Sequence, residues 1–323
     1  MNYNEAKIMR KSIKREFNKL GLAILMKELI ANIVIFICML VIMVIELLKQ
    51  KNVDKLDFEK IVSNPTYIGI MSIIAAIISI SPFLIYRGRK FFNYDLRVEN
   101  KKFKLKTVVL SIIVLLSVNS ALVLFSNGLE HILNLMGLSA NSALEALESL
   151  NELTVPTIIY SCLVAPVVEE LIFRGAVLRS LEKYGKRFAI LISGLLFGLM
   201  HGNFFQIFMA MGVGIILGYL AIEYSIKLTI LLHIINNVCV EILSQISTNV
   251  SGNKANIIDL TITVVSVIVL VIAFIRNKNN IKEWLLENRI EKGIMFKFFT
   301  SILVILVIAF DLFEVIVSIQ RIV

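Results

Sequence analysis

Residues 165–174 read Ala-Pro-Val-Val-Glu-Glu-Leu-Ile-Phe-Arg and place three charged side chains inside an otherwise apolar segment. A charge at the centre of a bilayer costs on the order of 2.5–3.5 kcal/mol on insertion scales, so a charge kept at that depth indicates a functional site. On a helix, Glu170 and Arg174 stand one turn apart and can pair on one face. Glu169 lies about 100° around the helix from Glu170. The pattern therefore predicts one glutamate held by arginine and one left free for chemistry.

The composition is typical of a membrane protein. The chain has 323 residues, of which 58% are hydrophobic and 18% are charged. Its long apolar runs are separated by short charged loops, which predicts an all-α polytopic membrane protein. The net charge of +9 comes mostly from a few of those loops, so it indicates membrane topology and not nucleic-acid binding. Cys38, Cys162 and Cys239 all fall within apolar runs and are interpreted as small core residues.

The hydropathy pattern predicts eight to nine transmembrane helices. The nine candidate spans are residues 28–48, 66–86, 107–126, 155–180, 188–203, 205–223, 228–246, 257–275 and 297–318.

Loop charges predict the orientation of these spans. Residues 87–106 hold eight lysines and arginines, whereas residues 127–153 hold none. Basic loops stay on the cytoplasmic side, so we expect the N-terminus, residues 87–106 and residues 276–296 in the cytoplasm. The basic residues 1–20 are interpreted either as an amphipathic helix on the inner membrane surface or as a solvated tail.

Two later spans also carry polar groups. His201 ends a run in which Gly194, Gly198 and Gly202 are spaced four apart, the small-residue pattern that lets a neighbouring helix approach closely. His233 is followed one turn later by an asparagine, so these two side chains share a face. Each group alone could be a structural hydrogen-bonding residue. Together, in three helices of a chain with only three histidines, they predict a shared polar cavity.

Three motifs carry a resemblance to a known family. They are Glu-Glu-Leu-Ile-Phe-Arg-Gly at 169–175, Phe-x-x-x-His at 197–201 and His-x-x-x-Asn at 233–237. In this order they resemble the signatures of the CPBP family, the CAAX proteases and bacteriocin-processing enzymes, also called Abi, which are related to type II CAAX prenyl endopeptidases. The resemblance divides the chain into N-terminal membrane helices and loops (1–153), a four-helix catalytic core (154–245) and C-terminal membrane helices (246–323).

The resemblance implies an intramembrane endopeptidase. In this family the first motif glutamate, here Glu169, activates a water molecule. His201 would polarise or hold that water. His233 and Asn237 would stabilise the oxyanion of the tetrahedral intermediate, a role that contributes several kcal/mol in a dry, preorganised site.

The remaining site residues and partners are implied in the same way. Glu170 and Arg174 would brace the residues around the water or bind the carboxylate end of the substrate. Pro166 cannot donate a backbone hydrogen bond, so it should bend or loosen the helix beside the site. The expected partners are the lipid bilayer of a bacterial plasma membrane and a membrane-associated peptide or protein substrate, with no nucleic acid.

Metal dependence stays open at this point. Glu169, His201 and His233 form a ligand set that zinc accepts, with water at the open position. The sequence has no His-Glu-x-x-His helix, and Asn237 suits an oxyanion hole better than a metal shell. We therefore expect no cofactor, with a zinc-dependent version of the same protease as the alternative. Two other classes of protein stay open. One is a catalytically silent membrane scaffold or regulator. The other is a transporter, although the sequence lacks the paired broken helices that transporters tend to show.

Overall fold

The computed structural model describes residues 3–50, 57–140, 153–250 and 253–322. Within them the chain is almost entirely helical, which confirms the all-α polytopic membrane class. The α-helices are α1 Tyr3–Gln50, α2 Phe58–Val62, α3 Pro65–Ser79, α4 Ser81–Arg87, α5 Leu105–Leu135, α6 Val155–Ile159, α7 Ala165–Glu170, α8 Leu178–Leu181, α9 Lys186–Leu199, α10 Phe204–Glu223, α11 Ile226–Asn249, α12 Asn253–Glu287, α13 Ile294–Phe299 and α14 Ile302–Val317. Two short strands, β1 Leu138–Ser139 and β2 Gln320–Arg321, pair in antiparallel register.

Seven helical segments in the described residues are long and apolar enough to cross a bilayer. They are Arg10–Lys49, Pro65–Arg87, Leu105–Leu135, Val155–Tyr184, Phe204–Glu223, Ile226–Ser247 and Ile257–Glu287.

The predicted spans at 188–203 and 297–318 correspond to shorter helices. α9 has 14 residues and α14 has 16, or about 21 and 24 Å at 1.5 Å per residue. Both fall short of the ~30 Å hydrocarbon core. α9 ends at Leu199 because the chain turns at Gly202, whose φ is +55°, a conformation that favours glycine. Asn203 then caps α10 by accepting hydrogen bonds from the backbone N–H groups of Phe205 and Gln206.

The amphipathic helix predicted in residues 1–20 is present, but its apolar face packs against the protein, so neither a place on the membrane surface nor a solvated tail is correct for the part that the structure describes. α1 is one helix of 48 residues, and Ile13, Phe17 and Leu20 on one of its faces are buried in the protein core. Phe17 is only 1% exposed, and its ring lies 5.0 Å from the ring of Tyr184, 5.9 Å from that of Phe188 and 5.2 Å from that of Phe298. Each such aromatic pair contributes about 0.5–1.5 kcal/mol beyond the burial of its area, which favours the packed position of this helix.

Helices α9 and α10 form a tight hairpin. A Cβ added at Gly194 would lie 3.0 Å from the backbone nitrogen of Ile215, and one at Gly198 would lie 2.7 Å from the carbonyl oxygen of Ile207. The two helices therefore meet backbone to backbone, as the glycine spacing predicts. Gly202 differs from the other two, because it lies in the turn after α9 and not on its packing face.

Contacts between loops show which ends of the helices share a side of the membrane. The backbone N–H of Asn100 donates to the carbonyl oxygen of Tyr224, and Lys101 pairs with Glu223. At the other end of the bundle, β1 pairs Leu138 with Arg321. The basic segment 87–106 therefore lies at the end opposite β1 and β2, as the loop charges predict.

Candidate active site

The helix that carries the two glutamates is irregular. In the span Val155–Tyr184 (the glutamate helix), α6 and α7 are joined by π-helical residues Tyr160–Val164, and α7 is followed by π-helical residues Leu171–Val177. Short π-helical stretches inside α-helices are frequent at functional sites. They widen the helix around the glutamates.

Pro166 leaves one carbonyl group of this helix without a backbone donor. The N–H of Ala165 donates to the carbonyl oxygen of Tyr160, five residues back. The next donor in that register would be residue 166, which as proline has no N–H. The oxygen of Ser161 is satisfied by the side-chain amide of Asn237, whose Nδ2 lies 3.0 Å away. The proline thus explains why this asparagine is bound to the glutamate helix.

Glu170 and Arg174 form the ion pair that the one-turn spacing predicts. Arg174 Nη1 lies 3.0 Å from Glu170 Oε1, and both side chains are completely buried. Arg174 Nη2 also donates to the carbonyl oxygen of Gly214, 3.1 Å away. The guanidinium carbon lies 4.4 Å from the centre of the Phe197 ring, a favourable cation–π distance. Arginine therefore ties the glutamate helix to both helices of the α9–α10 hairpin.

His233 lies between the two glutamates. Its Nδ1 lies 3.0 Å from Glu170 Oε1, and its Nε2 lies 3.7 Å from Glu169 Oε2. An ionised carboxylate only accepts hydrogen bonds, so Nδ1 carries the hydrogen that binds Glu170. The Glu169 side chain remains 20% exposed, whereas that of Glu170 is fully buried. The two adjacent glutamates thus occupy different environments, one closed and charge-paired, the other reachable.

His201 lies in the turn after α9. Its Nδ1 lies 2.8 Å from the carbonyl oxygen of Phe197, and because a carbonyl oxygen only accepts, Nδ1 is the protonated nitrogen and Nε2 keeps its lone pair. The Phe197 ring meets both imidazoles edge to face, at 5.1 Å from His201 and 5.7 Å from His233. His201 also lies within electrostatic range of Glu169. Phe197 is therefore the apolar wall against which both histidines are oriented.

A chain of amides extends from the site across the bundle. Asn119 Nδ2 donates to Asn236 Oδ1 over 2.9 Å, and Asn236 Nδ2 donates to Asn237 Oδ1 over 3.3 Å. Asn237 in turn donates to Ser161. Asn236 thus bridges helices, and sequence reasoning missed Asn119, which lies in α5 outside the three motifs.

Charged residues of α1 and α14 also reach the His201 turn, and sequence reasoning missed them as well. Lys27 Nζ donates to Glu28 Oε1 over 2.8 Å and contacts Met200 Sδ at 3.0 Å. Glu314 packs against Gly202, because a Cβ added there would lie 2.7 Å from a Glu314 carboxylate oxygen. Asp311, only 4% exposed, lies within electrostatic range of Lys27, Glu28 and Glu314. Charged residues inside apolar runs were the signal that could have identified them.

The structure thus brings together six motif side chains from the glutamate helix, the turn after α9 and α11. In the part of the chain that the structure describes, no group of three or more histidine, cysteine, aspartate or glutamate side chains is arranged to hold a metal ion. His233 Nδ1 is engaged by Glu170, and its Nε2 lies 3.7 Å from Glu169. A histidine whose Nδ1 donates to a carboxylate can still bind a metal through Nε2, so the Nδ1 contact with Glu170 leaves the choice between zinc and glutamate chemistry to experiment.

Comparison with known families agrees with the motifs. Residues 151–239 match the family model described as type II CAAX prenyl endopeptidase Rce1-like. The match covers the glutamate helix, the α9–α10 hairpin and the part of α11 that carries His233 and Asn237, and it supports the assignment of this chain to the CPBP, or Rce1-like, family. Comparisons with curated proteins and with solved structures found no match.

Proposed function

We propose that this protein is an intramembrane endopeptidase that hydrolyses a peptide bond of a membrane-associated peptide or protein. The observation that carries the proposal is the asymmetry of the two glutamates around His233. Glu170 is buried against Arg174, whereas Glu169 keeps a partly exposed carboxylate beside Nε2 of His233. The match to an endopeptidase family supports the same reaction class.

Glu169 is the general base. It takes a proton from a water molecule as the water oxygen attacks the carbonyl carbon of the scissile bond. When the carbon–nitrogen bond breaks, Glu169 returns that proton to the leaving nitrogen, so the products are a carboxyl group and an amine. A positioned base of this kind contributes about 10²–10⁴-fold to the rate. The lone pair on Nε2 of His201 accepts a hydrogen bond from the other O–H of the water. This hydrogen bond orients the water for attack.

Asn237 and His233 stabilise the oxyanion. The amide nitrogen of Asn237 carries two hydrogens, so one can remain on Ser161 while the other donates to the oxyanion. His233 donates from Nε2 when both ring nitrogens are protonated, and its Nδ1 stays on Glu170. Donors held in place before the reaction lose no reorganisation energy at the transition state. Glu170 and Arg174 act through His233 and the hairpin by holding them in position.

A catalytically silent scaffold is the alternative. The observation that favours it is the hydrogen bond from Asn237 to Ser161, since a residue with a structural task would be retained without catalysis. The burial of Glu170 and Arg174 is compatible with either function.

Comparative peptidomics of membranes tests the proposal. Cells that make the intact protein are compared with cells that make Glu169→Gln, with both proteins present in equal amounts. We expect peptide fragments that appear only with the intact protein, and cleavage of the matching synthetic peptide by the purified protein in lipid. Identical peptidomes from two folded proteins would support the scaffold, and substrate flux without cleavage would support a transporter.

A further inference from the structure

A cavity of about 660 Å³ opens between α12 and the start of α9. Four cationic side chains and several apolar ones line it. The cations are Arg187, Lys278, Lys282 and Arg289. The apolar residues include Phe274 and Ile281. None of the six motif residues lines this cavity, called the basic groove, and it takes no part in the proposed chemistry.

The spacing along α12 explains why these residues share a face. Phe274, Lys278 and Lys282 follow one another at intervals of four, and Ile281 lies beside them on the helix surface. Trp284 points to another side of α12. Its Nε1 donates to Glu223 Oε1 over 3.2 Å, and its ring meets that of Tyr219 edge to face at 5.5 Å. Trp284 thus anchors α12 to α10 and leaves the cationic face open toward α9.

The basic groove lies where a phospholipid headgroup would be. α12 has 35 residues, about 52 Å at 1.5 Å per residue, and exceeds the ~30 Å hydrocarbon core. Its C-terminal part therefore extends into the headgroup region, where tryptophan is favoured. Phe274 lies on the hydrocarbon side of the groove and Arg289 on the water side. The groove therefore changes from apolar to cationic in the same direction as a phospholipid changes from acyl chain to headgroup.

The cations of the groove are free of close partners in the described part of the chain, although Glu283, Glu287 and Glu291 lie in the same segment of the chain. Within the described residues, none of the four cations that line it takes part in a hydrogen bond or an ion pair. Cations clustered at the cytoplasmic surface attract anionic lipids, at about 5-fold in affinity per basic residue.

We propose that the basic groove binds the headgroup and upper acyl chains of an anionic phospholipid. Arginine and lysine would contact the phosphate oxygens, and Phe274 and Ile281 would contact the acyl chains. The bound lipid would join α12 to the N-terminal end of α9, the helix that leads to His201. A soluble phosphate ion would contact only the cationic side chains. Because the groove also has apolar residues, it favours a phospholipid, whose acyl chains can contact them.

The test uses the full-length protein, purified in a neutral detergent, and counts bound lipid by native mass spectrometry. Phosphatidylglycerol is titrated, with phosphatidylcholine as the neutral lipid. The variant Lys278→Gln/Lys282→Gln/Arg289→Gln should weaken phosphatidylglycerol binding by about 100-fold and leave phosphatidylcholine binding unchanged. Inorganic phosphate at millimolar concentration should not displace the lipid.

A matched control removes the same charges elsewhere. Arg97, Lys102 and Lys104 are exposed on the basic loop at the same end of the bundle, so Arg97→Gln/Lys102→Gln/Lys104→Gln loses the same net charge outside the groove. This control should keep near-native phosphatidylglycerol binding. Equal loss of phosphatidylglycerol binding in both variants would overturn the proposal. It would show that the lipid responds to the net charge of the protein and not to a specific site. Unchanged binding in the groove variant, or full displacement by phosphate, would overturn it as well. Melting temperatures of both variants show whether either has lost its fold.

Discussion

Nδ1 of His233 lies 3.0 Å from Oε1 of Glu170, a residue 63 positions earlier in the chain. That same carboxylate oxygen lies 3.0 Å from Arg174 Nη1. One oxygen atom therefore joins the arginine and the histidine, and the second histidine nitrogen is directed to Glu169. This arrangement gives the two neighbouring glutamates different environments, and it leads to the first prediction.

Replacing each glutamate by glutamine should distinguish the catalytic role proposed for Glu169 from the structural role proposed for Glu170. Glu169→Gln keeps the shape of the side chain but removes the base, so cleavage should fall by ~10²–10⁴-fold with little change in melting temperature. Glu170→Gln leaves Arg174 buried without its charged partner, and such a loss destabilises by about 3–5 kcal/mol. Peptide cleavage and thermal unfolding are measured on the same preparations. Equal and complete loss of activity in two stably folded variants would contradict the different roles.

A double-mutant cycle tests the link between Pro166 and Asn237. Asn237→Ala should leave the Ser161 carbonyl oxygen unsatisfied and cost about 1–3 kcal/mol. Pro166→Ala supplies a new backbone N–H in the register of that oxygen, so the cost of Asn237→Ala should become smaller in its presence. Urea or thermal unfolding of the four proteins gives the coupling free energy. Additive effects would mean that the proline does not create the need for the asparagine.

The kinetics of the same four proteins address catalysis. If Asn237 also donates to the oxyanion, then Asn237→Ala should lower kcat more than it changes KM. Pro166→Ala should restore stability without restoring kcat, because the lost donor is a side chain. Recovery of kcat together with stability would show that Asn237 acts only as a support.

Close packing in the α9–α10 hairpin is tested by two glycine substitutions. Gly198→Ala places a Cβ 2.7 Å from the carbonyl oxygen of Ile207, so the helices must separate and activity should fall although His201 is unchanged. Gly128→Ala is the matched control, since an added Cβ there meets nothing within 4 Å. Both changes gain about 1 kcal/mol of helix propensity. Wild-type cleavage by Gly198→Ala would refute the close-packing argument.

Metal dependence is decided by chelation. We expect that dialysis against a strong chelator leaves the cleavage rate unchanged and that metal analysis finds no stoichiometric ion. The reason is that Glu169 can activate the water as a general base, so the glutamate mechanism needs no Lewis acid. Activity lost to the chelator and restored by zinc would recast Glu169, His201 and His233 as ligands.

Cysteine labelling tests the orientation. In a protein whose three native cysteines are replaced by alanine, we expect Met136→Cys to react with an impermeant reagent on intact cells. Lys102→Cys should react only after the cells are permeabilised. Met136 is 69% exposed, and the loop charges place it outside. The reverse pattern would put the basic groove on the wrong membrane face for the proposed lipid.

Several features could be predicted because they depend on neighbours in the chain. Long apolar runs determine the helices, and the one-turn spacing determines the Glu170–Arg174 pair. The length of α9 could not be predicted in the same way, since hydropathy continues to His201 while the backbone turns at Gly202. The path of α1 was also mispredicted, because the burial of Phe17 depends on aromatic rings from two distant segments.

The sequence by itself determined the class of protein and the identity of the polar residues in its interior. Membrane helices satisfy their own backbone hydrogen bonds, so a run of apolar residues is sufficient to specify them. Only the tertiary structure decided how those polar residues are used. The two nitrogens of His233, the Ser161 oxygen that Asn237 satisfies, and the charges of Lys27 and Glu314 beside the His201 turn all depend on contacts between helices far apart in the chain. Such contacts are set by packing, and no local spacing encodes them.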